Sequence, residues 1–77
     1  MEISVEFFAY LIRYSPNGER RVGVLLKEGS TLRDLFETLE IPPQAERICL
    51  VNGAYHSEET ILHQGDVISL YPMIDGG

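Results

Sequence analysis

The pattern of apolar and polar positions alternates from Glu2 to Leu11. Ile3, Val5, Phe7, Ala9 and Leu11 share one face, while Glu2, Ser4, Glu6, Phe8 and Tyr10 share the other, which is the period of a strand that buries one side. Ser15-Pro16-Asn17-Gly18 then joins a proline-fixed φ to two residues that tolerate left-handed backbone, and Arg21 to Lys27 resumes the alternation with Val22, Val24 and Leu26. These two segments predict a hairpin.

The period changes after Gly29. Ser30 or Thr31 can cap a helix whose apolar positions Leu32, Leu35, Phe36 and Leu39 fall at i, i+3, i+4 and i+7. Asp34, three residues beyond Thr31, places its charge where the helix N-terminus favours it, and Pro42-Pro43 ends the element. A helix of about eight to ten residues is too short to persist alone, so it must lie on the sheet. Arg47 to Asn52 predicts a third strand closed by the Asn52-Gly53 turn, and Val67 to Tyr71, entered through Gly65-Asp66 and stopped by Pro72, predicts the last one. The stretch from Ala54 to His63 has no clear period and is expected to be an irregular crossing anchored by Ile61 or Leu62.

The order is strand, strand, helix, strand, strand. A right-handed crossover through the helix sets the last strand beside the first, parallel to it, in the middle of a mixed sheet. That is an α+β fold of the ubiquitin-like β-grasp type, with four to five strands on one main helix. A ferredoxin-like plait needs a second full helix, and Ala54 to His63 offers no apolar stripe for one.

Composition narrows the picture. The chain has 77 residues, 44% of them hydrophobic and 23% charged, which is ordinary for one small domain that folds alone. Twelve acidic against six basic residues give a net charge of −6. That balance argues against nucleic acid or an anionic membrane as partner and favours a protein with a basic surface. A lone Cys49 excludes an internal disulfide and fits a reducing cytoplasm. No apolar run approaches the roughly 18 residues of a membrane span.

The candidate chemistry lies in the last seven residues, YPMIDGG. A folded core gains nothing from ending on two glycines. The expected organisation is a domain over residues 1–72 and a flexible tail over residues 73–77, made of Met73, Ile74, Asp75, Gly76 and Gly77. Fully extended, Pro72 to Gly77 would reach roughly 20 Å, enough to enter another protein's active site, and glycines at the tip suit a narrow channel. The reactive group is then the Gly77 carboxylate. Because a carboxylate is a poor electrophile, it must first be activated, for instance by attack on ATP to form an acyl-adenylate. This chain has no phosphate-binding glycine loop, so the ATP belongs to another enzyme and no cofactor is expected here.

The stretches VEFFAYL, STLRDLFETL, VNG, LHQGDVISLYP and the terminal GG, in that order, resemble the small subunit of molybdopterin synthase within the ubiquitin-like sulfur carrier family. The resemblance implies sulfur carriage as a thiocarboxylate on Gly77 after adenylation by an E1-like enzyme. It also implies insertion of the tail into the large synthase subunit to build the dithiolene of the pterin cofactor. Met73 after Pro72 and Asp75 before Gly76 depart from the usual molybdopterin-branch ending. Thiamin-thiazole sulfur carriers and ubiquitin-like modifiers conjugated through Gly77 therefore stay open, as does a β-grasp binding module with incidental glycines.

For docking, Phe8 and Tyr10 lie opposite the core register of the first strand, and Tyr71 and Ser69 point outward if Ile68 and Leu70 point in. Leu50 is outward relative to Cys49 and Val51. Phe8 and Tyr71, with Leu50, Tyr10 and Pro72 nearby, are expected to form an apolar patch beside the tail. Cys49 is expected to be a small core residue. His56, His63, the Glu58-Glu59 pair, Asp34 and Glu37 are expected to be solvated, and no catalytic pair is evident.

Overall fold

A computed structural model describes residues 1–73 of the chain. Four strands, β1 (Glu2–Phe7), β2 (Arg21–Leu25), β3 (Ile48–Val51) and β4 (Val67–Tyr71), form one sheet in the order β2-β1-β4-β3. β1 runs antiparallel to β2 and parallel to β4, and β3 is antiparallel to β4. This is the β-grasp arrangement, with β4 central as the crossover argument requires.

Helix α1 (Leu32–Thr38) covers one face. Thr31 caps it, accepting from the Asp34 backbone N–H while the Asp34 carboxylate accepts from the Thr31 N–H at 2.8 Å, a reciprocal capping box. Leu32, Leu35, Phe36 and Leu39 pack onto Ile3, Val5, Phe7, Val22, Val24, Val51, Ile68 and Leu70, all buried. Of the two candidate anchors in the crossing, Leu62 enters this core, whereas Ile61 is half exposed.

Four elements differ in extent from the sequence pattern. The first strand stops at Phe7, and Ala9–Tyr14 forms a 3-10 helix, so β1 and β2 pair as expected but a long excursion joins them. Phe7 and Leu11 are both fully buried. A spacing of four satisfies a helical turn as well as a strand, so periodicity cannot separate the two. The break falls at Ala9, which is exposed rather than in the core register, with φ +54°. That conformation costs about 1 kcal/mol for a residue with a Cβ, and burial of Leu11 holds it. The helix, at seven residues, is one short of the expected minimum, because Glu40 turns left-handed at φ +58° and carries the chain into the prolines. β2 and β3 are each two residues shorter than the expected Arg21–Lys27 and Arg47–Asn52, and β3 keeps only the apolar run Ile48–Val51.

Candidate functional site

Among the described residues, no helix packs on the outer face of the sheet. Pairing registers place Glu6 beside Ser69 and Ser69 beside Leu50 in one row, with Tyr71 beside Ile48 in the next. Phe8 completes that second row: its N–H donates to the Leu70 carbonyl at 3.0 Å, which continues the β1–β4 edge one residue past the strand. The Phe8 and Tyr71 rings stack with centroids 4.5 Å apart and planes 5° from parallel. Ile48, Leu50, Phe8, Tyr71 and Pro72 are all half-buried. Phe8, Tyr71, Ile48 and Leu50 form an apolar platform at the C-terminal end of β4, and Pro72 follows where the chain leaves the sheet. Beside it the sheet is polar: Arg21 approaches Glu6 at 3.8 Å, and the Ser69 hydroxyl is 3.5 Å from the same carboxylate.

Of the residues expected in the patch, Phe8, Tyr71 and Leu50 share this face and Pro72 adjoins it in the chain, with Ile48 as a member that the sequence pattern did not single out. Its signal was available in the alternation Ile48-Leu50. Tyr10 plays a different part. It lies on the 3-10 helix, about half exposed, and its hydroxyl donates to the Glu46 carbonyl at 2.7 Å, tying that helix to the segment leading into β3. Met73 is half exposed and lines an open groove of about 370 Å³ with Tyr55, His56, Ile48, Cys49 and Arg47. Ile74, Asp75, Gly76 and Gly77 lie outside the described residues.

Two polar arrangements had no sequence signature. Arg47 is almost covered. Its guanidinium donates to the carbonyls of Ala45 at 2.5 Å and Pro42 at 3.3 Å and sits 4.2 Å above the Phe36 ring. Glu58 lies 3.9 Å from it, and Arg33 reaches both Glu58 and Glu59, so the glutamate pair is engaged rather than merely solvated. Asp34 likewise is a capping residue. On the other side, Asn52 and Asp66 join two turns: the Asn52 amide donates to Asp66 at 3.0 Å and its carbonyl accepts from the Val67 N–H at 2.9 Å. Some desolvation raises the Asp66 pKa, but the Asn52 amide, the His63 backbone N–H and the two nearby histidines outweigh it, and the carboxyl sits below its ordinary value.

Cys49 points inward, packs against the core and is partly buried. Burial pushes its thiol up to about 12, with Arg47 opposing and Glu58 adding to the rise, the reverse of an activated nucleophile. Among the described residues, no three His, Cys, Asp or Glu side chains are grouped to hold a metal ion, and no helix is long and apolar enough to cross a membrane.

This sheet, helix and open face define a ubiquitin-like protein of the β-grasp fold. The model of the Mut7-C ubiquitin family matches residues 1–76, and the chain belongs to that family. No curated protein sequence matches it. Among solved structures it is similar to a protein described as molybdopterin converting factor subunit 1 from Pyrococcus furiosus, with TM-score 0.81 and 25% identity over 96% of this chain and 99% of that one. The complex of subunits 1 and 2 of the molybdopterin-converting factor from Helicobacter pylori also contains a similar chain, with TM-score 0.69 and 25% identity over the full length of both. Small archaeal modifier protein 1 of Haloferax volcanii shares the fold, with TM-score 0.78 and 21% identity over 95% and 98% of the two chains.

Proposed function

We propose that this chain is a sulfur carrier of the molybdopterin-synthase small-subunit type. In this reading residues 1–72 are the body, residues 73–77 are the arm, and the Gly77 carboxylate is the cargo position. An E1-like enzyme binds the Phe8–Tyr71 platform and supplies ATP. The Gly77 carboxylate attacks the α-phosphate and releases pyrophosphate, and hydrosulfide then displaces AMP from the acyl carbon and gives up its proton to leave the thiocarboxylate. The charged carrier docks by the same platform on a larger synthase subunit, which performs the dithiolene chemistry.

The observation that carries the reading is the stacked Phe8–Tyr71 pair, set beside Ile48 and Leu50 on the sheet face opposite the helix, at the point where β4 delivers the chain to Pro72. Aromatic and aliphatic side chains arranged this way suit the core of a protein interface. The similarity to a converting-factor subunit 1 seen in complex with its subunit 2 supports a larger partner protein.

Intact mass of the native protein, purified from cells with the pathway active, tests the proposal. A species heavier by about 16 Da, one oxygen replaced by sulfur at Gly77, is the expected result. A branched peptide joining Gly77 to a lysine with loss of water would overturn it in favour of a modifier. Unmodified protein alone would overturn it in favour of a binding module.

A further inference from the structure

The sheet has two edges, and they are unlike. At β3 the Val51 N–H is already taken by the Ala54 carbonyl at 2.8 Å, leaving little free backbone on a four-residue strand. At β2 the edge is open. Hydrogen bonds to β1 extend beyond the strand at both ends, with Arg20 accepting from the Phe7 N–H and Leu26 donating to Met1. Because bonded and non-bonded positions alternate along an antiparallel pair, Arg20, Val22, Val24 and Leu26 face β1. Arg21, Gly23 and Leu25 then turn their N–H and C=O groups away from the sheet, and none of them has a hydrogen-bond partner on that side among the described residues. Leu25 is also 77% exposed.

We propose that this edge is a self-association site, where β2 of a second copy of this chain pairs antiparallel across a two-fold axis at Gly23. The sequence is self-complementary about that residue. Arg21 faces Leu25 of the other copy, Val22 faces Val24, and, beyond the strand ends, Glu19 faces Lys27, each relation occurring twice. It is the register that pairs every residue of β2 with a partner, each outward-facing pair exchanging two main-chain hydrogen bonds. Sliding by two residues toward the C-terminus would instead set Arg21 against Lys27. Gly23 suits the axis because its outer face is occupied: a Cβ there would lie 3.0 Å from the Glu2 carboxylate. The two Glu2 carboxylates consequently approach the axis, and the Arg21 side chains of the opposite copies are the cations placed to answer them. The pairing extends the sheet on the side away from β3, so the Phe8–Tyr71 platform stays open and the inference does not depend on the sulfur-carrier reading.

Sedimentation equilibrium of the full chain, with amide hydrogen exchange at low and high concentration, tests it. The expected result is a reversible dimer in which the N–H groups of Arg21, Gly23 and Leu25 gain protection with concentration, while those of Val22 and Val24 are protected throughout. Glu19→Lys should weaken the dimer about 2- to 10-fold and Lys27→Glu similarly, with the double exchange restoring it. Both sites are exposed, so neither change threatens the fold. A monomer at every concentration up to about 1 mM would overturn the proposal. So would a dimer that leaves the three outward amides unprotected.

Discussion

Phe8 and Tyr71 lie far apart in the chain, yet their rings stack at 4.5 Å, almost parallel, across the junction of the first and last strands. The contact depends on the parallel pairing of β1 with β4: Phe7 is opposite Leu70, so the next residue on each strand meets on the outer face. Stacked aromatics contribute about 0.5–1.5 kcal/mol beyond their burial.

Removing one ring should therefore affect both stability and binding, in different proportions. Phe8→Ala is expected to lower stability by about 1 kcal/mol, a shift of roughly 5 °C in Tm for a domain this size. Tyr71→Asp is expected to weaken binding to a candidate partner protein tenfold or more while the far-ultraviolet circular dichroism stays native. Undiminished affinity of both variants in a calorimetric titration would remove the platform from the account.

Arg47 makes the loop after α1 a fixed element. Arg47→Ala leaves the Ala45 carbonyl without its donor, removes one of the two donors to the Pro42 carbonyl and strips the Phe36 face, and is expected to cost about 2 kcal/mol. Arg47→Lys should recover only part of that, since one ammonium cannot serve two carbonyls and an ion pair as a planar fork does. Urea midpoints of the two variants compare them directly.

Asp66 gives the fold an acid-sensitive clasp. Its carboxyl titrates below the ordinary value in the folded chain, so the stabilisation it supplies is complete above the unfolded-state value of about 4 and is lost as pH falls through the lower folded-state value. Asp66→Asn should flatten the fall of stability below about pH 4 relative to the native chain. Unfolding free energies between neutral and strongly acidic pH measure this, and parallel curves for the two proteins would show that the clasp contributes nothing.

Cys49 should resist alkylation. With its thiol pushed up to about 12 and its side chain partly buried, the thiolate fraction at pH 8 is negligible. Iodoacetamide is expected to label the native chain far more slowly than the urea-unfolded one, at a rate that follows global or local opening. Equal rates in the two states would contradict the inward placement.

How much of this was legible beforehand follows from which interactions are local. The helix and its cap were readable because Thr31, Asp34 and the Leu32-Leu35-Phe36-Leu39 stripe act within a few residues of one another. The Asn52-Gly53 turn was readable because left-handed backbone at φ +51° and +85° is a property of those residue types. Strand order was readable because the chirality of a crossover leaves few choices. The Phe8–Tyr71 pair was readable as a consequence of that order. Arg47 was not, since its partners are backbone carbonyls and a ring whose positions exist only after the loop folds. Glu58 and Glu59 looked like any exposed acidic pair for the same reason.

The sequence by itself determined the four strands and the capped helix, which side of each strand turns inward, and the central place of β4, because periodicity, capping and handedness act along the chain or follow from it. Only the tertiary structure decided where the first strand ends, since Leu11 can reach the core through a helical turn as well as through an extended one and packing alone selects between them. It also decided which sheet edge stays open and which is closed, because a hydrogen-bonding group becomes free or satisfied only when its neighbours are in place.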